Sequence, residues 1–407
     1  MNQIIKLSLV DMKEKDNLEN IEVEELDITD SEIVQEILDT IGLGVRRNIK
    51  DILYYIIPSL QKEQILDSSN SVIHLRISGD GRNVGRKIKH VMITVMILNY
   101  ENYHHNPNYY YTIALYPGSE KYDTVKFILD PFIEELRSLK EDGLEIAGIL
   151  WKFILYFSSD WKFLAICLGL NSANSKYFCP WCLCSKNQIG DLKHGLFNNM
   201  TRKVILDEMK RLKVFFQFWE NKDSHNWEYT SLVGEDKKKV LEHFNLELLF
   251  RPSCATLIRK LWDEFNLLYC ALKNKKTNLL EFKNQAKDWL TLFLTPSSGN
   301  PNDFKNFTKG LYLPNQITPY MHALVFHGWE FIKKHKQWGV KAFSCSAVEK
   351  KNHQQVSTFF RKTFKNGGNL SRKKPAIQEI MEYENRILYF NYNSLPKPNK
   401  IKKICIK

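Results

Sequence analysis

Seven side chains in this sequence combine a reactive type with a useful spacing: the carboxylates Asp80, Asp160 and Glu349, and the soft-metal donors Cys179, Cys182, His322 and His327. Asp80 ends the run V-I-H-L-R-I-S-G-D that starts at Val72. Ile73, Leu75 and Ile77 fall on one strand face of that run, and His74, Arg76, Ser78 and Asp80 on the other. Gly79 and Gly81 flank the Asp and leave the backbone open to close approach, as a metal or phosphate site needs. An Asp-Gly after a strand also reads as an ordinary turn. Asp160 follows the apolar run Ile149 to Phe157 and stands where it could equally N-cap the next helix. Glu349 falls in Ser346-Ala-Val-Glu349, which also fits a capping box. Asn352 and His353 share its polar helix face at i+3 and i+4.

Cys179-Pro-Trp-Cys182 is a C-x2-C and His322-Ala-Leu-Val-Phe-His327 an H-x4-H, both spacings of a tetrahedral Cys2His2 zinc site, with Cys184 as a substitute ligand. The 139 residues between the two pairs are too many for a local finger. A zinc here would instead clamp the strand region to the C-terminal part of a helical insert. Taken alone, the C-x2-C could be a redox pair, and the histidines could be ordinary helix-face residues.

Periodicity identifies the elements that must position these groups. Apolar spacing from Asp51 to Leu66 predicts a helix interrupted at Pro58. Val72 to Asp80, His90 to Asn99 and Tyr109 to Tyr116 read as strands. Ser119 looks like the N-cap of a helix that Pro131 should kink or restart, with Asp130 as cap. Ile149 to Phe157 is continuous enough for a central parallel strand buried on both faces. Residues 183–340 read mostly as helices, and a last helix runs from Ser346 to Gly367-Gly368. Strand, strand, strand, helix, strand is the ribonuclease-H-like order, in which the first and fourth strands lie side by side and parallel. Asp80 and Asp160 would then converge at neighbouring strand ends, which suits Mg²⁺ with substrate phosphates filling its remaining positions. The expected fold class is α+β: a ribonuclease-H-like five-stranded mixed sheet interrupted by a large helical zinc-binding insertion. The expected domains are an acidic leader and helical segment (1–66), the first part of the core (67–178), the insertion (179–340), and a core-completing helix with a basic tail (341–407).

Composition narrows the partners. The 407 residues, 43% hydrophobic, suit a globular chain of two or three domains. The longest apolar run, Gly148 to Phe157, is too short for a membrane span and is broken by Lys152. The N-terminus lacks the apolar core of a secretion signal. Eight cysteines without such a signal favour reduced thiols and a metal site over a disulfide framework. The net charge of +12 is uneven: residues 1–40 carry −9, which leaves +21 for the remainder. A basic body of this kind suits a polyanion, most simply nucleic acid.

From about residue 72 to 365 the chain resembles the catalytic core of Transib-type transposases and of the V(D)J recombinase catalytic subunit. The resemblance rests on Asp80-Gly81 at the first strand's end, Asp160-Trp-Lys-Phe after the fourth strand, and Ser175-Lys-Tyr-Phe-Cys-Pro-Trp-Cys182. It continues in Tyr320-Met-His322 through His327, and in Glu349-Lys-Lys-Asn352 followed by Phe359-Phe360-Arg361. It implies a DDE triad of Asp80, Asp160 and Glu349 holding two Mg²⁺ or Mn²⁺ ions, supported by Asn352, His353 and Arg361. It also implies a structural zinc on Cys179, Cys182, His322 and His327. The expected activity is metal-dependent nicking of double-stranded DNA and strand transfer, carried out in the nucleus by a homodimer with no small-molecule substrate. The alternative is a catalytically inactive, zinc-stabilised DNA-binding relic of a transposase, because the stretch before residue 70 is shorter and more acidic than the family's end-binding region.

Overall fold

A computed structural model of the protein describes residues 4–12, 43–84, 88–118, 120–170, 199–221, 227–232, 234–299, 310–363 and 374–393. The chain divides into two compact units, Met1–Ser172 with Ala342–Lys407, and Ala173–Lys341. The first unit runs β1 (Leu7–Asp11), β2 (Leu43–Arg47), α1 (Ile49–Lys62), β3 (Val72–Val84), β4 (Ile88–Ile97), β5 (Tyr111–Pro117), α2 (Tyr122–Glu141), β6 (Leu144–Ile146), β7 (Ile149–Phe157) and α3 (Trp161–Cys167). The second unit contributes α4 (Asn199–Arg211), the hairpin β8 (Phe218–Glu220) and β9 (Trp227–Tyr229), α5 (Gly234–His243), α6 (Pro252–Lys273), α7 (Leu279–Phe293), the short α8 (Pro319–His322) and α9 (Gly328–Lys334). The chain then returns to the first unit as α10 (Ser346–Lys362) and α11 (Ala376–Tyr392).

The fold is mixed α+β. Seven strands form one mixed sheet in the order β1-β2-β5-β4-β3-β7-β6. β3, β4 and β5 pair antiparallel in sequence, whereas β3 and β7 run parallel, in register from Val72↔Lys152 to Ile77↔Phe157. Strand alternation gives the sheet two apolar faces. On one, Ile73, Leu75 and Ile77 of β3 pack with Ile56 of α1, Phe132 of α2 and Phe163 of α3. On the other, Met92, Met96 and Leu115 meet Val348 and Phe359 of α10 and Ile380 and Met381 of α11. Each such side chain, fully buried, stabilises the fold by about 1.5–3 kcal/mol. In the second unit Leu261, Leu268, Phe282, Trp289 and Val325 form a separate helical core.

Several expectations require correction. The sheet has seven strands rather than five: β1 and β2, in a stretch expected to be leader and helix, extend one edge, and the short antiparallel β6 extends the other. Most of the acidic leader lies outside the described residues. Pro58 and Pro131 each sit inside an uninterrupted helix. Both prolines are on the exposed face, where water can satisfy the carbonyl that loses its amide donor, while the buried face holds the helix together. The N-cap of α2 is Lys121, and Ser119 is outside the described residues. β7 is covered on one face only: Trp151 and Phe153 are buried, but Leu150 and Ile154 are about half exposed. The second-face cluster built by α10 and α11 takes residues from β2, β3, β4 and β5 and includes no β7 residue. Finally, the capping box at Ser346 does not form; Cys345 is the N-cap of α10 and makes no side-chain cap bond.

Candidate functional site

The parallel pair β3 and β7 brings the two aspartates together by register. Its last matched residues are Ile77 and Phe157, and Asp80 and Asp160 each stand three residues beyond them. Polar groups stitch this end of the pair. The Ser158 amide donates to Ile77 O at 3.0 Å, and the Ser159 hydroxyl donates to Gly79 O. Asp160 caps α3, its Oδ1 accepting from the Phe163 amide at 2.7 Å. Gly79 serves that helix: a Cβ there would overlap the Phe163 ring, so the glycine lets α3 settle against β3. The open backbone beside Asp80 is thus filled by a ring and, at Gly81, by the Glu120 side chain.

Glu349 arrives from the other end of the chain on the first turn of α10, with an exposed side chain that no capping box engages. Three residues on, the buried Asn352 donates from Nδ2 to Asp80 Oδ2 at 2.5 Å, a bond across 272 residues of sequence that ties α10 to β3. Burial pushes the Asp80 carboxyl up, the Asn352 bond pulls it back, and the Asp160, Glu120 and Glu349 carboxylates raise it further, to about 6. Cys345 records the same convergence. Its thiol is raised to about 11, chiefly by burial, with Arg76 opposing and Asp160, Glu349 and Asp80 adding.

A buried charge network seats α10 on the sheet. Glu384 of α11 accepts from Arg47 of β2 at 3.1 Å, from Lys351 and Gln355 of α10 at 2.9 Å each, and from Thr112 of β5 at 3.0 Å. Burial alone would raise the Glu384 carboxyl, but Lys351 and Arg47 overcome it and hold the group at about 2. Lys351, Asn352 and Gln355 therefore bind inward while Glu349 stays free of the interior, which sets the rotation of α10.

Among the described residues no three His, Cys, Asp or Glu side chains stand already arranged around a common metal position. The donor chemistry nevertheless fits a hard divalent cation. The oxygens are carboxylates, and the elevation of Asp80, due first to burial and then to the neighbouring carboxylates, marks negative charge that a dication would stabilise.

The remaining expected residues fall in different places. His353 is exposed, and its imidazole is lowered by partial burial and by Arg82, with Glu349 opposing. Arg361 sits twelve residues beyond Glu349, about 18 Å along the helix at 1.5 Å per residue. In the second unit His322 and His327 have ring centroids 5.4 Å apart. A straight α-helix would set residues i and i+5 about 140° apart; here a π-helical turn, Ala323–His327, brings them to one side. His327 Nδ1 is 3.0 Å from Glu330 Oε2, the carboxylate partner that orients many metal-binding imidazoles. Burial, then His327, lowers the His322 imidazole and so favours the neutral form that ligates. Cys179, Cys182 and Cys184 lie outside the described residues.

Sequence reasoning missed Glu120, Arg76 and Ser158. Glu120 sits beyond the end of β5, its side chain 8% exposed and ion-paired to Lys162 of α3. It borders an open groove of about 450 Å³ that starts at Gly81 and carries Arg82, Lys89, His90 and Lys162. Nothing in the spacing of Glu120 marks it. Arg76 and Ser158 did carry a signal: Arg76 shares the face of Asp80 two strand repeats away, and Ser158 immediately precedes Ser159-Asp160.

Comparison of the chain with family models and with curated proteins finds no match in either.

Proposed function

We propose that the protein is a DDE-type DNA transposase or recombinase relative that nicks DNA and transfers strands at Asp80, Asp160 and Glu349. The observation that supports this reading is the placing of Asp80 and Asp160 three residues beyond the last matched pair of β3 and β7, with the helix that carries Glu349 tied to Asp80 by Asn352. The order β5-β4-β3-β7, three antiparallel strands and a fourth parallel to the first, supports a ribonuclease-H-like core with β1, β2 and β6 added at its edges. The resemblance to Transib-type transposases over residues 72–365 supports the same assignment.

In this reading Asp80, Asp160 and Glu349 would hold the Mg²⁺ or Mn²⁺ ions, which when bound supply polarisation of the scissile phosphate and activation of the attacking oxygen. Asn352 fixes the Asp80 carboxylate through one oxygen, and the α3 amide fixes Asp160. Arg82, Lys89 and Lys162 line the groove beside Asp80 and would neutralise neighbouring phosphates, making DNA binding steeply salt-dependent. A zinc on Cys179, Cys182, His322 and His327 would stabilise the second unit. The working form would be a nuclear homodimer on double-stranded DNA. No helix among the described residues is long and apolar enough to cross a membrane.

The test is divalent-metal nicking of supercoiled plasmid by wild type and by Asp160→Asn. The asparagine keeps an oxygen to cap α3, so the variant should remain folded. Product from the wild type alone is expected. Equal product from both proteins refutes the carboxylate assignment, and none from either, with DNA retained, leaves the inactive DNA-binding relic.

A further inference from the structure

We propose that Arg76 and Ser158 are positioning residues that clamp the chain entering α10, and so set where Glu349 stands relative to the two aspartates; the functional side of this proposal rests on the reading above. Arg76 lies on β3 four residues before Asp80, on the same side-chain face. It is fully buried. Its guanidinium donates from Nη1 to Ala342 O at 2.7 Å and to Tyr110 Oη at 2.9 Å, and from Nη2 to Phe343 O at 3.2 Å and Ser344 O at 3.1 Å. The Tyr110 hydroxyl donates onward to His104 O at 2.8 Å, which leaves its lone pairs turned to Arg76. From the neighbouring strand end, Ser158 Oγ donates to the same Phe343 O at 2.8 Å.

The arrangement is specific in what it holds. Three consecutive carbonyls, those of residues 342–344, are gripped by side chains from the two strand segments that carry Asp80 and Asp160. Cys345, the N-cap of α10, comes next, and Glu349 sits on the first turn. A guanidinium whose Nη1 and Nη2 meet only neutral oxygens, and whose buried Nε has no partner, is costly to bury, and an apolar side chain of similar length could fill the space. What the fork adds is a fixed geometry, several donors in one plane that hold several carbonyls at once. Asn352 then fastens the second turn of α10 to Asp80.

The test uses the full chain with Arg76→Met, Arg76→Lys and Ser158→Ala. Hydrogen exchange of the metal-free protein reads the clamp, and Mn²⁺ titration reads the site it serves. In Arg76→Met the amides of residues 345–352 should exchange on the order of tenfold faster, with those of residues 88–97 unchanged. Mn²⁺ affinity should fall by up to roughly tenfold, at or below the low end of the 10–100-fold cost of losing a group bonded directly to a ligand, because Arg76 touches none of the three carboxylates. Arg76→Lys, which keeps three donors but not the planar fork, should recover only part of both effects. Ser158→Ala, which removes one bond, should move both in the same direction by a smaller factor and covers the case in which Arg76→Met fails to fold. Unchanged protection of residues 345–352 in Arg76→Met and Ser158→Ala overturns the clamp. So does unchanged Mn²⁺ affinity beside a lowered Tm, which would make Arg76 a packing residue. Wild type that binds no Mn²⁺ while the variants lose protection overturns the carboxylate-site reading and upholds the clamp.

Discussion

Replacing Asp80 by Asn should stabilise the metal-free protein near neutral pH. The carboxyl is lifted from 3.8 to about 6, first by burial and then by Asp160, Glu120 and Glu349, against the Asn352 bond. Because the folded pKa lies above the unfolded one, the folded state holds more protons between about pH 4 and pH 6. Stability therefore falls as pH rises through that window, and the penalty is complete above it. A shift of about two units corresponds to about 3 kcal/mol at 1.36 per unit. Asp80 is only partly buried, and solvent screening reduces the figure to about 1–2 kcal/mol. Asn removes the charge, and its Oδ1 can still accept from Asn352. A Tm rise of roughly 3–6 °C near neutral pH is expected from the size of the unit, shrinking toward zero near pH 4. Saturating Mn²⁺ should reverse the order: at about 100 times Kd it adds about 2.7 kcal/mol to wild type and little to the variant. Thermal unfolding across pH, with and without Mn²⁺, reads all three. A variant less stable than wild type near neutral pH, or a difference that does not shrink on acidification, refutes the electrostatic account of Asp80.

Three other perturbations separate the parts of this arrangement. Glu384→Gln leaves Arg47 and Lys351 buried without their carboxylate and should cost about 3–5 kcal/mol in denaturant melts; in wild type the Glu384 contribution is present above its unfolded pKa of 4.5 and is lost as pH falls toward about 2. Gly79→Ala should destabilise by about 1–3 kcal/mol because its Cβ meets the Phe163 ring, and Phe163→Leu should restore part of that loss in the double variant; purely additive losses would contradict the packing described. Asp160→Ala should cost about 1 kcal/mol through the lost cap of α3 while Asp160→Asn costs little. Comparable melting of the two Asp160 variants would show that the cap contributes nothing.

The legible part of the fold was its local part. Ile73, Leu75 and Ile77 against His74, Arg76 and Ser78 wrote a strand because a period of two matches a pleat with one apolar side, and β3 is there. Pro58 and Pro131 misled because a proline on the wet face of an otherwise well-buried helix loses one bond that water replaces. The capping-box spelling at Ser346 misled for a different reason. The N-cap falls one residue early, at Cys345, so Ser346 and Glu349 stand inside the helix instead of at the N-cap and third positions that a capping box needs.

What the sequence by itself determined was the chemistry on offer and the local shape around it: an aspartate on a strand, which runs on past it to Val84 instead of ending there, an aspartate after a second strand, a glutamate on a helix face, a C-x2-C and an H-x4-H. Tertiary structure alone decided which of these meet. The parallel register of β3 and β7 levels Asp80 with Asp160, Asn352 draws α10 to Asp80, and the Arg47–Glu384–Lys351 network turns Glu349 outward. It also added Glu120 and Arg76, whose partners lie 42 and 266 residues away. Pairings over such separations depend on which charges the core can bury and satisfy together, and local periodicity holds no record of that balance.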